Sequence, residues 1–475
     1  MESIRSPMFT IENIIEATKG TRIGSRKGAV SGVSTDSRQV AVGELFVALH
    51  GERYDGHDYI AAAAAKGVAA FLVAADRVAG TQPPQGAVYV VVPDTLRALG
   101  DLAAWHRNRV DVPLVGITGS NGKTTTKEML ATILAQTGPG LKTSGNLNNL
   151  IGVPLMLLRL TQRDRWAVLE MGMSEPGEID RLAEIARPRV GVITNAFAAH
   201  LESMGSVEAV AKAKGELFLR LQPDDWAVYN ADDPRIRRCP TPSGVRRLSF
   251  GLHGAEVSAE GIESLGRSGV RFTLRLPGAD VPVRMKVFGL HNVSNALAAA
   301  ASAHALGVEP ELIRSGLEEF TPYDRRFNLE EVGGLVLVDD SYNANPASMA
   351  AALVTMRDIR EECRAIAVLG DMLELGAGAA AAHREVGLLA AACVDRIYVM
   401  GEMAEKVASG AVEGGLSADS IVVAQNHEEI IADLRRRAVG GDTILVKGSR
   451  GMRMEIVAEA VRHGFSRSGI KGEVA

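Results

Sequence analysis

At 475 residues the chain is too long for one compact core and suits about three domains of ordinary size. Apolar residues make up 46% and charged residues 23%, which supplies enough core material to exclude a disordered chain. A formal net charge of -5 without a long basic stripe leaves no electrostatic footprint for nucleic acid, and no uncharged apolar run is long enough for a membrane span.

The opening MESIRSPMFTIENIIEATKG carries charges throughout and lacks the apolar core of a secretory signal. Cys239, Cys363 and Cys393 are odd in number and far apart, which fits neither a disulfide framework nor zinc spacing. A reducing, cytoplasmic setting is expected. Up to about Asp111 the chain reads as short strands around a helix: LFVAL at 45–49, an alanine-rich helix over 59–66, then AAFLV and VYVVV.

Pro113 opens a second unit, with strand Leu114 to Thr118, a glycine turn, and a helix from about Lys123 whose Met129, Leu130, Ile133 and Leu134 share one face. Gly138 is placed to end it. Strand 166–172, a helix from about Pro176 to near Pro188, strand 190–195 and strand 226–230 continue the alternation, which predicts a parallel sheet covered on both faces. The segment 270–289 alternates in polarity and predicts a β hairpin extending this unit.

A third unit starts after Pro322 with strand LVLVDD at 335–340. Asn345 reads as a helix cap, Pro346 as the first helical residue, and Met349, Leu353 and Met356 as its buried face. AIAVLG, RIYVMG, SIVVA and TILVKG then predict a second doubly wound sheet. The expected fold class is therefore α/β in three domains: a small N-terminal α/β domain over 1–111, a central P-loop parallel-sheet ATPase domain with a β extension over 112–321, and a C-terminal Rossmann-like domain over 322–475.

TGSNGKTT, Thr118 to Thr125, lies between a buried-type strand and an amphipathic helix, the setting that a phosphate loop requires. Gly119 and Gly122 let the backbone curl so that the amides of Gly119, Ser120, Asn121, Gly122, Lys123, Thr124 and Thr125 can face phosphate oxygens. Lys123 can bridge the β and γ phosphates, and the Thr124 hydroxyl can ligate magnesium. The usual pattern sets its first glycine five residues before the glycine of GKT. Here that place is Ile117, with Gly116 and Gly119 on either side, so the loop is a variant.

Glu170 ends the strand AVLE, at the outlet where parallel sheets meet ligands, and reads as a metal ligand or as a helix-start charge. His200 follows strand 190–195 with the same positional logic and an equally open alternative as a structural hydrogen-bonding residue. Lys212 and Lys214, in VAKAKGELF, read from spacing alone as a solvated helix face.

The assembled motifs resemble the Mur ligases. STDSRQVAVGELFVALHGERYDGHDYI, GITGSNGKTTTKEML, TSGNLNNLIGVPLMLL, LEMGMSEPGEI, AAHLESMGSVEAVAKAKGELF, FGLHNVSNALAAA, DDSYNANPASM, LGDMLELG and VKGSRGMRME carry the likeness, in an order that spans nearly the whole chain. The resemblance implies a monomeric, cytoplasmic, ATP-dependent ligase with UDP-N-acetylmuramoyl-tripeptide and D-alanyl-D-alanine as partners. It further implies two magnesium ions, one on Thr124 and Glu170, the other on His200 and a Lys214 carbamylated by carbon dioxide. Lys123, Glu170, His200 and Lys214 would then serve catalysis.

By the same resemblance Asn292, Arg326 and Asp340 reach the nucleotide, although Arg325 stands where relatives often carry glycine and the choice between the two arginines stays open. Asn146, Asn148 and Asn149 are expected to meet the UDP-linked peptide, since amides both donate and accept. Ser37 and Arg38 are candidates for the uridine diphosphate or a plain surface turn. Asn343 and Asn345 are candidates for the incoming dipeptide, with Asn345 also the expected helix cap. A sister ligase adding one amino acid, a folylpolyglutamate synthase, and a P-loop nucleotide switch are the competing readings.

Overall fold

The structure, a computed structural model, describes residues 8–51, 53–198, 201–323 and 325–465. By packing it divides into two compact units, Met1–Gly116 with Gly138–Met173 and Gly177–Arg189, and Ile117–Thr137 with Ser174–Pro176 and Val190–Ala475. No helix of the described residues is long and apolar enough to cross a membrane.

The first unit holds a five-stranded sheet in the order Thr21–Ile23, Val88–Val92, Ala70–Ala74, Leu45–Val47, Val33–Ser34. Its first pair is antiparallel and the rest parallel. Ala70–Ala74 is buried throughout, as a continuous apolar run in a covered parallel strand should be. Helix Thr95–Arg107 is capped by Asp94, whose carboxylate accepts from the amides of Leu96 and Arg97. At its end the buried Arg107 guanidinium donates to the carbonyls of Val110 (2.6 Å), Val112 (2.9 Å) and Ala186 (2.9 Å), fixing the run that leads into strand Leu114–Thr118. Strand Ala167–Glu170 pairs in parallel with Leu141–Lys142, and helix Glu178–Ala186 follows.

In the second unit the expected helix runs Lys123–Ala135, with Met129, Leu130, Ile133 and Leu134 at 2% exposure or less. Strands Val190–Ile193, Trp226–Asn230 and Arg246–Phe250 pair in parallel. The β extension is larger than the expected hairpin. Val270–Leu276 and Ala279–Met285 form it, and Ser258–Ser264 adds a third antiparallel strand. Its register shifts between Glu260 and Glu263, beside Gly261 at φ +61, so the period-two signal is broken in the sequence.

The C-terminal sheet runs Asn328–Val332, Leu335–Asp340, Thr443–Lys447, Ala365–Gly370, Arg396–Met400, Ile421–Ala424. All pairs are parallel except the first, an edge strand of sequence NLEEV that carries no alternating apolar pattern. Helix Pro346–Ile359 starts as expected on an Asn345 cap with a reciprocal Ser348 contact. Its Met349, Leu353 and Met356 pack on one sheet face with Val336, Val338 and Leu445. Helix Glu455–Phe465 packs Val457, Ala458 and Val461 on the other face, with Leu335, Leu337, Ile444 and Val446. Adjacent strands 335–340 and 443–447 thus feed helices on opposite faces. That reversal is the place where doubly wound sheets open a ligand crevice at their carboxyl ends.

Candidate active site

The loop after Leu114–Thr118 is built on two glycines where a side chain would be strained or crowded. Gly122 sits at φ +80 and a Cβ there would collide with Asn295 Oδ1; a Cβ on Gly119 would collide with Thr194 Oγ1. The strand end at 193–195 holds the loop from below. Thr194 Oγ1 donates to the Asn121 carbonyl (2.6 Å), Asn195 Oδ1 accepts from the Asn121 amide (2.9 Å), and the Ser120 amide donates to the Asn195 carbonyl (3.1 Å). Ser120 Oγ exchanges hydrogen bonds with Phe197 (2.9 and 3.1 Å). Lys123 Nζ donates to the Gly119 carbonyl at 2.7 Å, so the ammonium lies over the loop. The Thr124 side chain is buried at the start of the helix. The Ser120 and Asn121 amides are thus spent on bracing the loop, which leaves the positive helix end and the Lys123 ammonium as groups that could hold a polyphosphate.

Lys214 lies in helix Val207–Leu219 and is only 3% exposed, whereas Lys212 is exposed. Burial, with the nearby Lys123 charge adding to it, holds the Lys214 amine well below the usual lysine range. The solvated face expected from spacing therefore holds for Lys212 and fails for Lys214, because the helix packs on the side that carries position 214. His200 lies outside the described residues.

In the first unit Glu170 is buried at 4%, and its Oε1 accepts from Asn148 Nδ2 at 2.8 Å. The Glu170 amide donates to Thr143 Oγ1 at 2.9 Å. The expected metal ligand is thus oriented by an expected substrate residue. Asn149 Oδ1 accepts from the amides of Ile151 (3.2 Å) and Gly152 (2.9 Å), bracing helix Gly152–Leu157, while Asn146 is exposed. Arg38 is forked onto Asp36, Nε to Oδ1 at 2.9 Å and Nη2 to Oδ2 at 2.8 Å. That contact holds the Asp36 carboxyl down at about 2. Lys66 Nζ ties down the carbonyls of Ser37 and Arg38, both at 2.8 Å.

The second unit also places the C-terminal candidates. Asn292 is buried, donating to the Phe288 carbonyl (2.9 Å) and accepting from Asn295 (3.1 Å). Arg325, at φ +57, faces Glu459 (3.3 Å) and Glu455 (3.7 Å). Arg326 instead stacks its guanidinium 4.1 Å over the Tyr342 ring, with Nε buried and unbonded. Asp340 is paired across the sheet with Lys447, its register partner, at 2.6 Å. Asn343 Oδ1 accepts from the Arg450 amide at 3.4 Å, and its carbonyl accepts from Lys447 at 3.0 Å. Asn345 faces the phosphate loop through a reciprocal amide pair with Asn121 (2.6 and 3.1 Å). Thr194, Asn195, Asn295, Tyr342, Lys447 and Arg450 join these groups without having been singled out. Asn295, Tyr342, Lys447 and Arg450 lay in motifs that could have flagged them, FGLHNVSNALAAA, DDSYNANPASM and VKGSRGMRME, whereas Thr194 and Asn195 lay in none.

Comparison with known proteins places this geometry. Residues 29–107 match the model described as Mur ligase family, catalytic domain, residues 117–303 the Mur ligase middle domain, and residues 325–450 the Mur ligase, glutamate ligase domain. The UDP-N-acetylmuramoyl-tripeptide--D-alanyl-D-alanine ligase of Escherichia coli is 39% identical, covering 92% of this chain and 96% of that protein. The ligase of the same name from Bacillus subtilis is 35% identical, with 95% and 97% covered. Among solved structures, MurF from Acinetobacter baumannii superposes with a TM-score of 0.87 at 33% identity, over 96% of this chain and 99% of that one. MurF from Thermotoga maritima in complex with ADP gives 0.82 at 29% identity, over 92% and 98%. Folylpolyglutamate synthase of Mycobacterium tuberculosis, at 17% identity and 0.63 over 78% of this chain, shares the fold. The chain belongs to the Mur ligase family of ATP-dependent, peptide-bond-forming ligases, with that family's three-domain α/β fold.

Proposed function

We propose that this enzyme joins D-alanyl-D-alanine to UDP-N-acetylmuramoyl-tripeptide in the cytoplasm, as a monomer, giving the UDP-pentapeptide precursor of peptidoglycan. What supports this reading above its rivals is the reach of the likeness. It runs at 35–39% identity over more than nine-tenths of the chain for the ligases of that name. The folate enzyme shares only the fold. A role in cell-wall biogenesis, and so in cell shape and division, follows from the product.

A carboxylate is a poor acyl donor, so its oxygen first attacks the γ-phosphorus of ATP and ADP leaves. The dipeptide amine then attacks the acyl carbon, the amine proton is lost, and inorganic phosphate departs with the C–O bond electrons. In our reading the amides of Gly119 and of Gly122 to Thr125, with the Lys123 ammonium, carry the charge that builds on the transferred phosphoryl, while the Ser120 and Asn121 amides, bonded to Asn195, hold the loop in shape. Asn292, Arg326 and Asp340 hold the nucleotide, with Arg326 preferred to Arg325 because the latter already faces two carboxylates. Ser37 and Arg38 take the uridine diphosphate, Asn146, Asn148 and Asn149 the tripeptide, and Asn343 and Asn345 the dipeptide. The segments 1–111, 112–321 and 322–475 divide this labour.

Thr124, Glu170, His200 and Lys214 are the groups we assign to two magnesium ions, which would supply charge neutralisation at the phosphoryl oxygens. Two of these residues suit the role each by itself: Glu170 is buried and oriented, and Lys214 is held as the neutral amine that carbon dioxide requires. Carbamylation forms an N–C bond to carbon dioxide with loss of one proton, converting the amine to an anionic oxygen ligand.

The test is phosphate release with ATP, UDP-N-acetylmuramoyl-tripeptide and D-alanyl-D-alanine, against single amino acids and folates. Release that needs all three substrates is expected. Ligation of a single amino acid alone would replace the assignment with a sister ligase, and acceptor-independent hydrolysis with a nucleotide switch.

A further inference from the structure

Strand Trp226–Asn230 pairs in parallel with Val190–Ile193, so their carboxyl ends lie on the same side. Asn230 and Asp233, at the end of the former, are 7% and 6% exposed, and the chemistry described above uses neither. Asn230 Nδ2 donates to the Thr194 carbonyl at 2.8 Å, and its Oδ1 accepts from the Asp232 amide at 2.9 Å. Asp233 divides its two oxygens. Oδ1 accepts from the Arg235 amide (3.0 Å) and caps helix Pro234–Arg237, while Oδ2 accepts from the Ala196 amide (2.8 Å), 37 positions earlier in the chain.

A helix cap needs one oxygen. What the second one holds is a segment with two sides. On one side, Thr194 Oγ1 and the Asn195 side chain bond to the main chain of Asn121, and Phe197 exchanges hydrogen bonds with Ser120 Oγ. On the other side, the Thr194 carbonyl and the Ala196 amide are taken by Asn230 and Asp233. Residues 194–197 therefore form a clip that grips the phosphate loop and is itself gripped by the end of the next strand. Both outer anchors are buried, so water does not readily replace a bond that is lost there.

We propose that Asp233 and Asn230 are positioning residues for phosphoryl transfer: by fixing residues 194–197 from behind, they set the shape that the loop presents to the ATP phosphates. This rests on the assignment of residues 119–125 to those phosphates, made above, and holds whichever acceptor is joined.

Two variants separate this role from the local ones. Asp233→Ser keeps a capping oxygen for the Arg235 amide but is too short to reach Ala196 as well. Asn230→Asp keeps the acceptor for the Asp232 amide and loses the donor to the Thr194 carbonyl. Hydrogen–deuterium exchange of the full chain should quicken in peptides covering 118–125 in both variants. Exchange in 365–370 and 443–447, unchanged, reports that each variant is folded. With all three substrates, kcat/KM for ATP should fall by about fivefold to tenfold in each, less than the full value of the bond lost because the segment keeps its other anchor. KM for the UDP-tripeptide should stay at the wild-type value. The two variants act from separate residues, so either one that folds decides the matter. A lowered thermal midpoint with wild-type exchange at 118–125 and wild-type kcat/KM for ATP would overturn the proposal and leave the function intact. An equal rise in KM for the UDP-tripeptide would also overturn it. Faster exchange at 118–125 with unchanged ATP kinetics would instead remove the assignment of the loop to ATP, and the proposal with it.

Discussion

Lys214→Met keeps the length and apolar stem of the side chain and removes only the amine, so it separates the group's chemistry from its packing. In the folded protein burial keeps that amine neutral well below the usual lysine range, while in the unfolded chain it binds a proton up to about pH 10.4. Between those limits the unfolded state carries one more proton than the folded state, so the wild type gains stability as pH rises, by about 1.4 kcal/mol per pH unit. The variant lacks that group and loses that slope. Chemical denaturation of both proteins in carbon-dioxide-free buffer, where the amine is not carbamylated, at about pH 8.5 and about pH 9.5 should show the wild type gaining roughly 1.4 kcal/mol more than the variant, because every other titrating group cancels in the difference. Activity should fall by at least about a hundredfold, as for loss of a metal-binding group, and short-chain carboxylic acids should restore part of it. Equal pH slopes for the two proteins would refute the claim that the amine is buried and neutral. Full activity in the variant would refute its place in the metal site.

Gly122→Ala forces a side chain onto φ +80 and into Asn295 Oδ1, a strain of about 1–3 kcal/mol concentrated in the phosphate loop. Steady-state kinetics should show KM for ATP raised by about tenfold or more, with KM for D-alanyl-D-alanine little changed. Asn148→Ala removes the amide that orients Glu170 and should raise the magnesium concentration for half-maximal rate by about 10- to 100-fold, read by magnesium titration. A changed KM for UDP-tripeptide at unchanged magnesium dependence would instead make Asn148 a substrate contact alone.

Much of this fold can be read from residue order because its strands are either continuous apolar runs or paired with strong breakers. Leu114–Thr118, Trp226–Asn230, Leu335–Asp340 and Ala365–Gly370 are found where the sequence places them. Ser258–Ser264 and Asn328–Val332 escape the same reading for identifiable reasons: a bulge beside Gly261 interrupts one, and the other is an edge strand bearing two adjacent glutamates. The phosphate loop is legible because a left-handed glycine and a lysine must sit at fixed offsets from a helix start. Lys214 and Lys447 show the limit of local pattern. Two lysines two residues apart look alike along the chain, and only the packed helix distinguishes 212 from 214. Likewise only the fold shows that Lys447 is claimed by Asp340, a contact between positions 107 residues apart.

Asn345 shows how a structural and a functional reading of one residue can both be right, and how they can be told apart. Its Oδ1 accepts from the Ser348 amide at 2.9 Å and starts the helix, while the same side-chain amide exchanges hydrogen bonds with Asn121 of the phosphate loop. Asp is as good a cap as Asn, so Asn345→Asp should hold the helix within a few tenths of a kcal/mol, whereas Asn345→Ala should lose about 1 kcal/mol. The carboxylate cannot donate to Asn121 Oδ1, so Asn345→Asp exchanges an attractive contact for a repulsive one, without disturbing the cap. The Asn121 Nδ2 donor keeps a carboxylate oxygen as its acceptor, so one neutral hydrogen bond of about 0.5–1.5 kcal/mol is lost. That loss predicts a fall in kcat/KM of roughly two- to tenfold for Asn345→Asp, at unchanged thermal midpoint. Wild-type turnover in Asn345→Asp, with a deficit only in Asn345→Ala, would mean that the helix start is all this residue supplies.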